Sequence, residues 1–467
     1  MGKIETDSLS RIDKLFLDKG DIPLEEAFRR RTQHGIYMLA GTDLKESVGL
    51  QLALLTAVNL ASKCFAQPAI VNANAVIFSY PCLVPAALSK TLGEALTKFG
   101  GTTTSLTPHS AMTVPLIFGS AEAVTRGIRV TYDGWRIAVG PVVELRRMQE
   151  RDLCPLACIA AAAIAVGEIF ADFAGINLKA TRRTIHLSLW RSDLPFSDPA
   201  SQGPSGYELP LSIGVFGLGH LGQAYLWGIS ALRYSDNSKV ILTLCDDDTV
   251  EKPNVETGAL LTKDAIGQQK TRVVAQWLEA RGFKTKLLER WVDENLRRTS
   301  EEPGIALSGF DDNQARQWLS QAGFSRIFDS GLGGEAYNFD TIGYHAWPNP
   351  RSATELWSLE TEADLAARKA RRTQSIAQNK SYSQLDTDEC GRIQLAGKSV
   401  AVPFVGAIAA CTVLAEMIKS ISGGPVFSDL RISCCSLSTA PLEARLACEA
   451  VAPIRGIDTV SFEGDRH

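Results

Sequence analysis

Four apolar residues, a glycine turn and a helix pattern, followed by a second β-rich run, constrain this chain most. The run Ile213 to Phe216 leads into Gly217-x-Gly219-x-x-Gly222, a helical pattern starts at Leu221, and KVILTLC ends in Asp246, Asp247 and Asp248. Glycines permit the tight turn, and the free amides at the start of the following helix can face an anion. Strand, glycine turn, helix and strand in that order predict the opening of a parallel α/β sheet, with the acids at the end of its second strand. The motif alone is shared with dinucleotide-binding enzymes, whose ribose-binding acid occupies a similar place.

At 467 residues and 45% hydrophobic content the chain is long enough for two or more lobes. A Pro, Ser and Gly-rich stretch from Asp193 to Pro210 separates two segments that each alternate helix and strand patterns. In the first segment, GIRVTYDGWRIAVGP predicts a hairpin turning at Asp133 and Gly134. The halves echo one another. Pro155 and Pro403 each open an alanine-rich run with a glutamate thirteen positions on, Glu168 and Glu416, a pattern that fits either internal duplication or two similar packed helices.

Composition narrows the function. A net charge of -4 and a pI near 6.0 offer no broad positive field, so nucleic acid is not the expected partner. The apolar run from Cys154 to Ile176 carries Glu168 and Asp172 and reads as a buried helix, with no membrane partner. The first residues lack a secretory pattern, and ten irregularly spaced cysteines fit reduced thiols, so a cytoplasmic protein is expected. Cys154 with Cys158, Cys434 with Cys435, Cys245 and Cys411 read as packing, and His220 as at most a pocket wall.

The segment after the acids is more specific. Asp246, Asp248, Val250, Asn254, Gly267 and Lys270 follow one another at fixed spacing, and Asp312, Asn313 and Arg316 follow in GFDDNQARQWL. This series resembles the ubiquitin-activating, ThiF/MoeB-like adenylyltransferases. Taken singly, each residue also has an ordinary reading: Asp247 and Asp248 as a solvated strand end, Asn254 as a turn residue, Lys270 as a helix surface charge. The resemblance implies that ATP and Mg2+ are used, with Gly217, Gly219 and Gly222 forming the phosphate turn. It further implies that Asp246 binds ribose hydroxyls, Lys270 contacts phosphates, Asn254 orients a phosphate and Asp312, beside Asn313, binds magnesium. The chain departs from the pattern where the family carries Arg-Gln, because Thr257 and Gly258 stand there. Arg30 or Arg31, placed upstream of the first half's opening strand IYMLAGTDL, would be the arginine that some family members supply from the opposing half.

The same resemblance implies a catalytic cysteine. Cys390 ends a polar segment ahead of Pro403-Phe404-x-Gly406, where thiol-using members carry theirs, and neighbouring Arg392 would favour its thiolate. An inert loop cysteine is the plain alternative. The expected fold is therefore α/β: two Rossmann-like adenylation halves forming a pseudo-dimer, the second with a mobile cysteine-bearing insertion. The expected boundaries are a degenerate half at 1–192, a linker at 193–210, an active half at 211–353, a crossover at 354–400 and the active half's return at 401–467. The expected activity is adenylation of the C-terminal tail of a ubiquitin-like protein, then a thioester and transfer to a ubiquitin-conjugating enzyme. Activating enzymes of this two-half layout occur in bacterial conjugation operons, antiphage ones of the BilD type included. The glycine turn and acids alone would also suit a nicotinamide-dependent oxidoreductase, and loss of the arginine at 257 would suit an inactive scaffold that binds a ubiquitin-like protein.

Overall fold

The computed structural model describes residues 9–20, 23–105, 114–121, 126–383, 385, 392, 395–437, 443–446 and 457–464. In the first half, β1 (Tyr37–Ala40), β2 (Ala69–Asn72), β3 (Gly101–Thr104), β4 (Leu116–Phe118), β5 (Ile128–Asp133), β6 (Arg136–Pro141) and β7 (Ile185–Ser188) form one sheet. Its order is β3-β2-β1-β4-β5-β6-β7, parallel through β5 and antiparallel beyond it. The hairpin is present with its turn one residue later than expected. Asp133 pairs with Arg136, leaving Gly134, at φ 62°, and Trp135 between them.

The expected linker differs from a loose connector. It holds the buried Ser201 and ends in β8 (Gly206–Pro210), where Tyr207 and Leu209 are also buried. Trp135 of the first half donates to the Pro204 carbonyl (3.0 Å), which fastens the stretch to that half. Its Pro, Ser and Gly content reflects tight local turns against a packed surface.

In the second half, β9 (Ser212–Phe216), β10 (Ile241–Cys245), β11 (Lys284–Leu288), β12 (Ile305–Ser308), β13 (Arg326–Leu332), β14 (Thr341–Trp347), β15 (Phe427–Ser433) and β16 (Glu443–Leu446) form the second sheet. Its order is β11-β10-β9-β12-β13-β14-β15-β16, again parallel through its fifth strand and antiparallel afterwards. A last strand, β17 (Thr459–Glu463), pairs with β8. The repeated strand order makes the sequence echo structural. Helix Pro155–Phe173 lies between β6 and β7, and helix Pro403–Ile421 lies between β14 and β15. Glu168 accepts from the Thr181 amide (3.0 Å) and Glu416 from the Phe427 amide (2.9 Å), each tying its helix to the segment that forms or approaches the next strand.

The halves meet through helices. Val48–Cys64 and Pro155–Phe173 belong to the first half, His220–Ala231 and Pro403–Ile421 to the second, and they pack on one another. Small residues set the spacing: a side-chain carbon on Gly167 would lie 3.0 Å from the Phe404 ring, and one on Gly228 would lie 2.4 Å from Leu414. The Pro155 and Pro403 helices are long and apolar enough to cross a membrane, yet 89% and 94% of their apolar windows are buried inside the chain. Alanine-rich faces here serve close helix packing.

The polar segment after β14 is partly regular. It carries helix Glu362–Gln378, exposed along most of its length, and then Tyr382, Leu385, Leu395 and Ala396, which form a small apolar cluster with Leu9 and Leu17 beside the N-terminal helix Arg11–Lys19. Tyr382 donates to Asp18 (2.6 Å) and Asn379 to the Leu17 carbonyl (2.7 Å).

Candidate functional site

Residues singled out in the sequence gather at the carboxyl ends of β9, β10 and β12. Here the strand order reverses direction from β9, which is where open α/β sheets hold ligands. Gly217 turns the chain out of β9 at φ 84°. A side-chain carbon on Gly222 would lie 1.9 Å from the Gly217 carbonyl oxygen, so only glycine lets the helix start this close to the strand. Gly219 is the N-cap of helix His220–Ala231, and a side-chain carbon there would meet nothing within 4 Å. An uncapped helix start with open space before it suits a phosphate.

Asp246, at the exit of β10, accepts from the Leu218 amide (2.7 Å) and the Asp248 amide (2.9 Å), locking the glycine turn to the neighbouring strand. Each carboxylate oxygen keeps a further lone pair for a hydroxyl donor. Lys270, with 7% of its side chain exposed, opens the next helix and places its ammonium 2.6 Å from Asp248 and 3.6 Å from Asp246. Oxygens of Asp246, Asp247 and Asp248 lie within 4.8 Å of one another, and partial burial beside the other two acids holds the Asp247 carboxyl above the usual carboxylate range. A triphosphate brought to this acidic end needs positive charge beyond Lys270. An exposed carboxylate such as Asp312, beyond β12, is an oxygen donor of the kind that suits Mg2+, which keeps several waters and takes one or two carboxylates.

Asp312 follows β12. Gly309 packs against Gly217 and Gly222, which brings this exit beside the glycine turn. The exposed Asp312 carboxylate caps helix Asn313–Gln321 by accepting from the Gln314 amide (2.9 Å). Asn313 accepts from Arg316 (2.8 Å) and donates to the Ser358 carbonyl (2.9 Å). Arg316 itself is buried against Asp329 (3.0 Å), whose other oxygen accepts from Trp357 (3.0 Å). These bonds fix the start of the crossover to the Asp312 helix, and the Val400 amide bound to the Gly334 carbonyl (2.7 Å) fixes its end.

Asn254 sits at the third position of the short helix Lys252–Thr257, where its side-chain oxygen accepts from the Glu251 amide (2.8 Å). Its local work in the structure is that cap. The departure at positions 257 and 258 has a physical counterpart: Thr257 is buried, and a side-chain carbon on Gly258 would lie 2.3 Å from the Gln223 amide oxygen. Gln223, on the helix after the glycine turn, fills that space. It donates to the Leu218 carbonyl (3.0 Å) and accepts from the Leu260 amide (3.2 Å). Sequence reading missed Gln223, although the absent glutamine at 258 was the available signal.

His220 follows Gly219 and lies against the start of the Pro403 helix, where a side-chain carbon on Gly406 would meet its Nε2 at 2.3 Å. Burial pushes its pKa down to about 4. Arg30 and Arg31 belong to helix Leu24–Gln33, but their side chains lie outside the described residues, as does Cys390. Cys154 and Cys158 are core residues with thiols raised by burial, the former to about 12, which fits packing.

Residues 35–189 match the family model described as the BilD N-terminal domain, and residues 209–424 match the BilD C-terminal domain. A bacterial E1-like protein BilD from Collimonas sp. (strain OK412) is 34% identical over 427 residues, covering 90% of each chain. Among solved structures, E. coli MccB aligns with a TM-score of 0.33 at 14% identity, covering 74% of this chain and 94% of its own. E. coli tRNA N6-threonylcarbamoyladenosine dehydratase, TcdA, aligns with 0.29 at 14% identity, covering 45% and 86%. With both domain models matched in order across the two halves, and a relative at this identity over nearly the whole length, the chain belongs to the BilD family of bacterial E1-like proteins.

Proposed function

We propose that the second half adenylates the C-terminal carboxylate of a ubiquitin-like protein with ATP, in the manner of an E1 enzyme. The observation that carries this reading is the convergence of the open glycine turn, the Asp246–Lys270 pair and the exit of β12 on one end of a single sheet. The carboxylate attacks the α-phosphorus, a new C–O–P linkage forms, and the bond to pyrophosphate breaks. Both reactants are anionic, so the free amides after Gly219 and the Lys270 ammonium stabilise the charge that accumulates. Asp246 holds the ribose, Asn254 orients a phosphate, and Asp312 holds Mg2+, which offsets phosphate charge when bound. Arg30 or Arg31 supplies a further cation from the first half.

In the second step the Cys390 thiolate attacks the acyl carbon, AMP leaves, and a thioester retains the energy for transfer to the thiol of a ubiquitin-conjugating enzyme. The anchoring of the crossover's start to the Asp312 helix supports a cysteine carried on that segment. The setting proposed with this reading is a cytoplasmic bacterial conjugation pathway, antiphage in purpose.

The decisive measurement is ATP–pyrophosphate exchange in a mixture of the chain, ATP, Mg2+ and a bacterial ubiquitin-like protein with a free C-terminal tail. Exchange that depends on that protein is expected, and its absence would sink the reading. Asp312→Ala should abolish exchange. Cys390→Ala should keep exchange but lose a thiol-reducible adduct, and an adduct that survives assigns the nucleophile to another cysteine.

A further inference from the structure

The first half reaches into the segment that follows Asn254. Helix Val48–Cys64 carries Asn59 and, one turn later, Lys63. Asn59 donates to the Ala259 carbonyl (3.1 Å), and the Lys63 ammonium donates to the carbonyls of Val255 (2.9 Å) and Leu261 (3.3 Å). Lys63 therefore bridges both ends of the 255–261 segment while Asn59 holds its middle. From the other side Gln223 accepts from the Leu260 amide and donates to Leu218 inside the glycine turn. A continuous set of hydrogen bonds thus runs from the first half, through this segment, to the nucleotide turn.

We infer that Lys63 and Asn59 are positioning residues through which the first half holds the Asn254 helix and the glycine turn in place for nucleotide. The inference rests on the adenylation reading of that site. Helix Lys252–Thr257 has six residues and is too short to be stable alone, so its placement depends on what grips it. Val255 lies in its second half, where a cation interacts favourably with the carbonyl end of the helix dipole. Burial pushes the Lys63 pKa down to about 8, a desolvation cost that an apolar side chain at the same position would avoid. The cost is offset by two directed bonds that an apolar residue does not make.

The test uses the full chain and MgATP as the probe. Lys63→Met keeps the apolar stem and removes the ammonium. It should weaken MgATP binding about 10-fold or more, because small displacements of positioned groups are costly, and it should speed amide exchange in residues 252–262. Lys63→Arg should restore most of the affinity, which a general loss of packing does not predict. Asn59→Leu, which breaks only the bond to Ala259, should give a smaller loss in the same direction and serves if Lys63→Met does not fold. Affinity within twofold of the unaltered chain in a folded Lys63→Met, or in Asn59→Leu if only that variant folds, overturns the inference and leaves the adenylation reading standing. Failure of the unaltered chain to bind MgATP overturns both.

Discussion

The two halves share a strand order but treat the start of the helix after their first strand in opposite ways. In the second half, Gly219 leaves that start open. In the first half, helix Val48–Cys64 is capped by Ser47, which accepts from the Leu50 amide (3.1 Å), and by the carboxylate of Asp152, which accepts from the Gly49 amide (3.0 Å). Asp152 also accepts from Tyr132 (2.6 Å) and pairs with Arg233 of the second half (3.5 Å). The turn above is shut as well. A side-chain carbon on Gly41 would lie 2.4 Å from the Ala121 amide nitrogen, and Asp43 accepts from the Ser120 amide (2.9 Å) and pairs with Arg147. An internal carboxylate thus stands where an external phosphate would stand in the other half. Satisfying helix amides from within removes an anion site and adds a structural tie.

Five substitutions, the last of them read against acid, sharpen or break this comparison. Lys270→Ala should have the largest effect, a loss of exchange of about 10²- to 10³-fold, as for removal of a charge-stabilising donor. If the halves were functionally equivalent, no single substitution confined to the second would do this. Gly222→Ala should weaken MgATP binding and destabilise the fold by about 1–3 kcal/mol, the usual range for overpacking. Gly41→Ala is expected to cost stability similarly without changing the affinity of the folded chain, and calorimetry with thermal melting measures both.

Asp152→Asn comes next, with a loss of about 1–3 kcal/mol from the weakened charged hydrogen bonds and no change in exchange rate. A fall in exchange after this change would mean that the first half's plug also shapes the active site. The last effect, absent at neutral pH, concerns acid. His220 has a folded pKa near 4, below its unfolded value, so the unfolded state binds more protons between about pH 6.5 and 4. Stability should therefore fall as pH drops through that window, and His220→Gln should flatten the pH dependence of the melting temperature.

The glycine turn, the two strands around it, the hairpin near Gly134 and both alanine-rich helices were legible because each is encoded by neighbouring residues with a fixed period or a required φ. The spacing of Asp246, Lys270 and Asp312 was legible as a series, and the structure brings Asp246 and Lys270 together. Arg316 was legible as a position but not as a job: only the fold shows it neutralised by Asp329. The stretch 193–210 falls largely between the two matched domain models, but that it is packed was not legible, because turn-forming composition looks the same whether the turns are solvated or packed.

By itself, then, the sequence determined the α/β class and which half keeps an intact glycine turn, since these depend on local backbone freedom and apolar periodicity, whereas the repeated strand order decided the doubling. Only the tertiary structure decided that Asp152 fills the first half's anion position, that Gln223 occupies the space above Gly258, and that Lys63 grips the segment beyond Asn254. Those pairs are separated by roughly 35 to 190 residues and carry no periodic signal, and their energy comes from burial and hydrogen-bond geometry that exist only after the halves have packed.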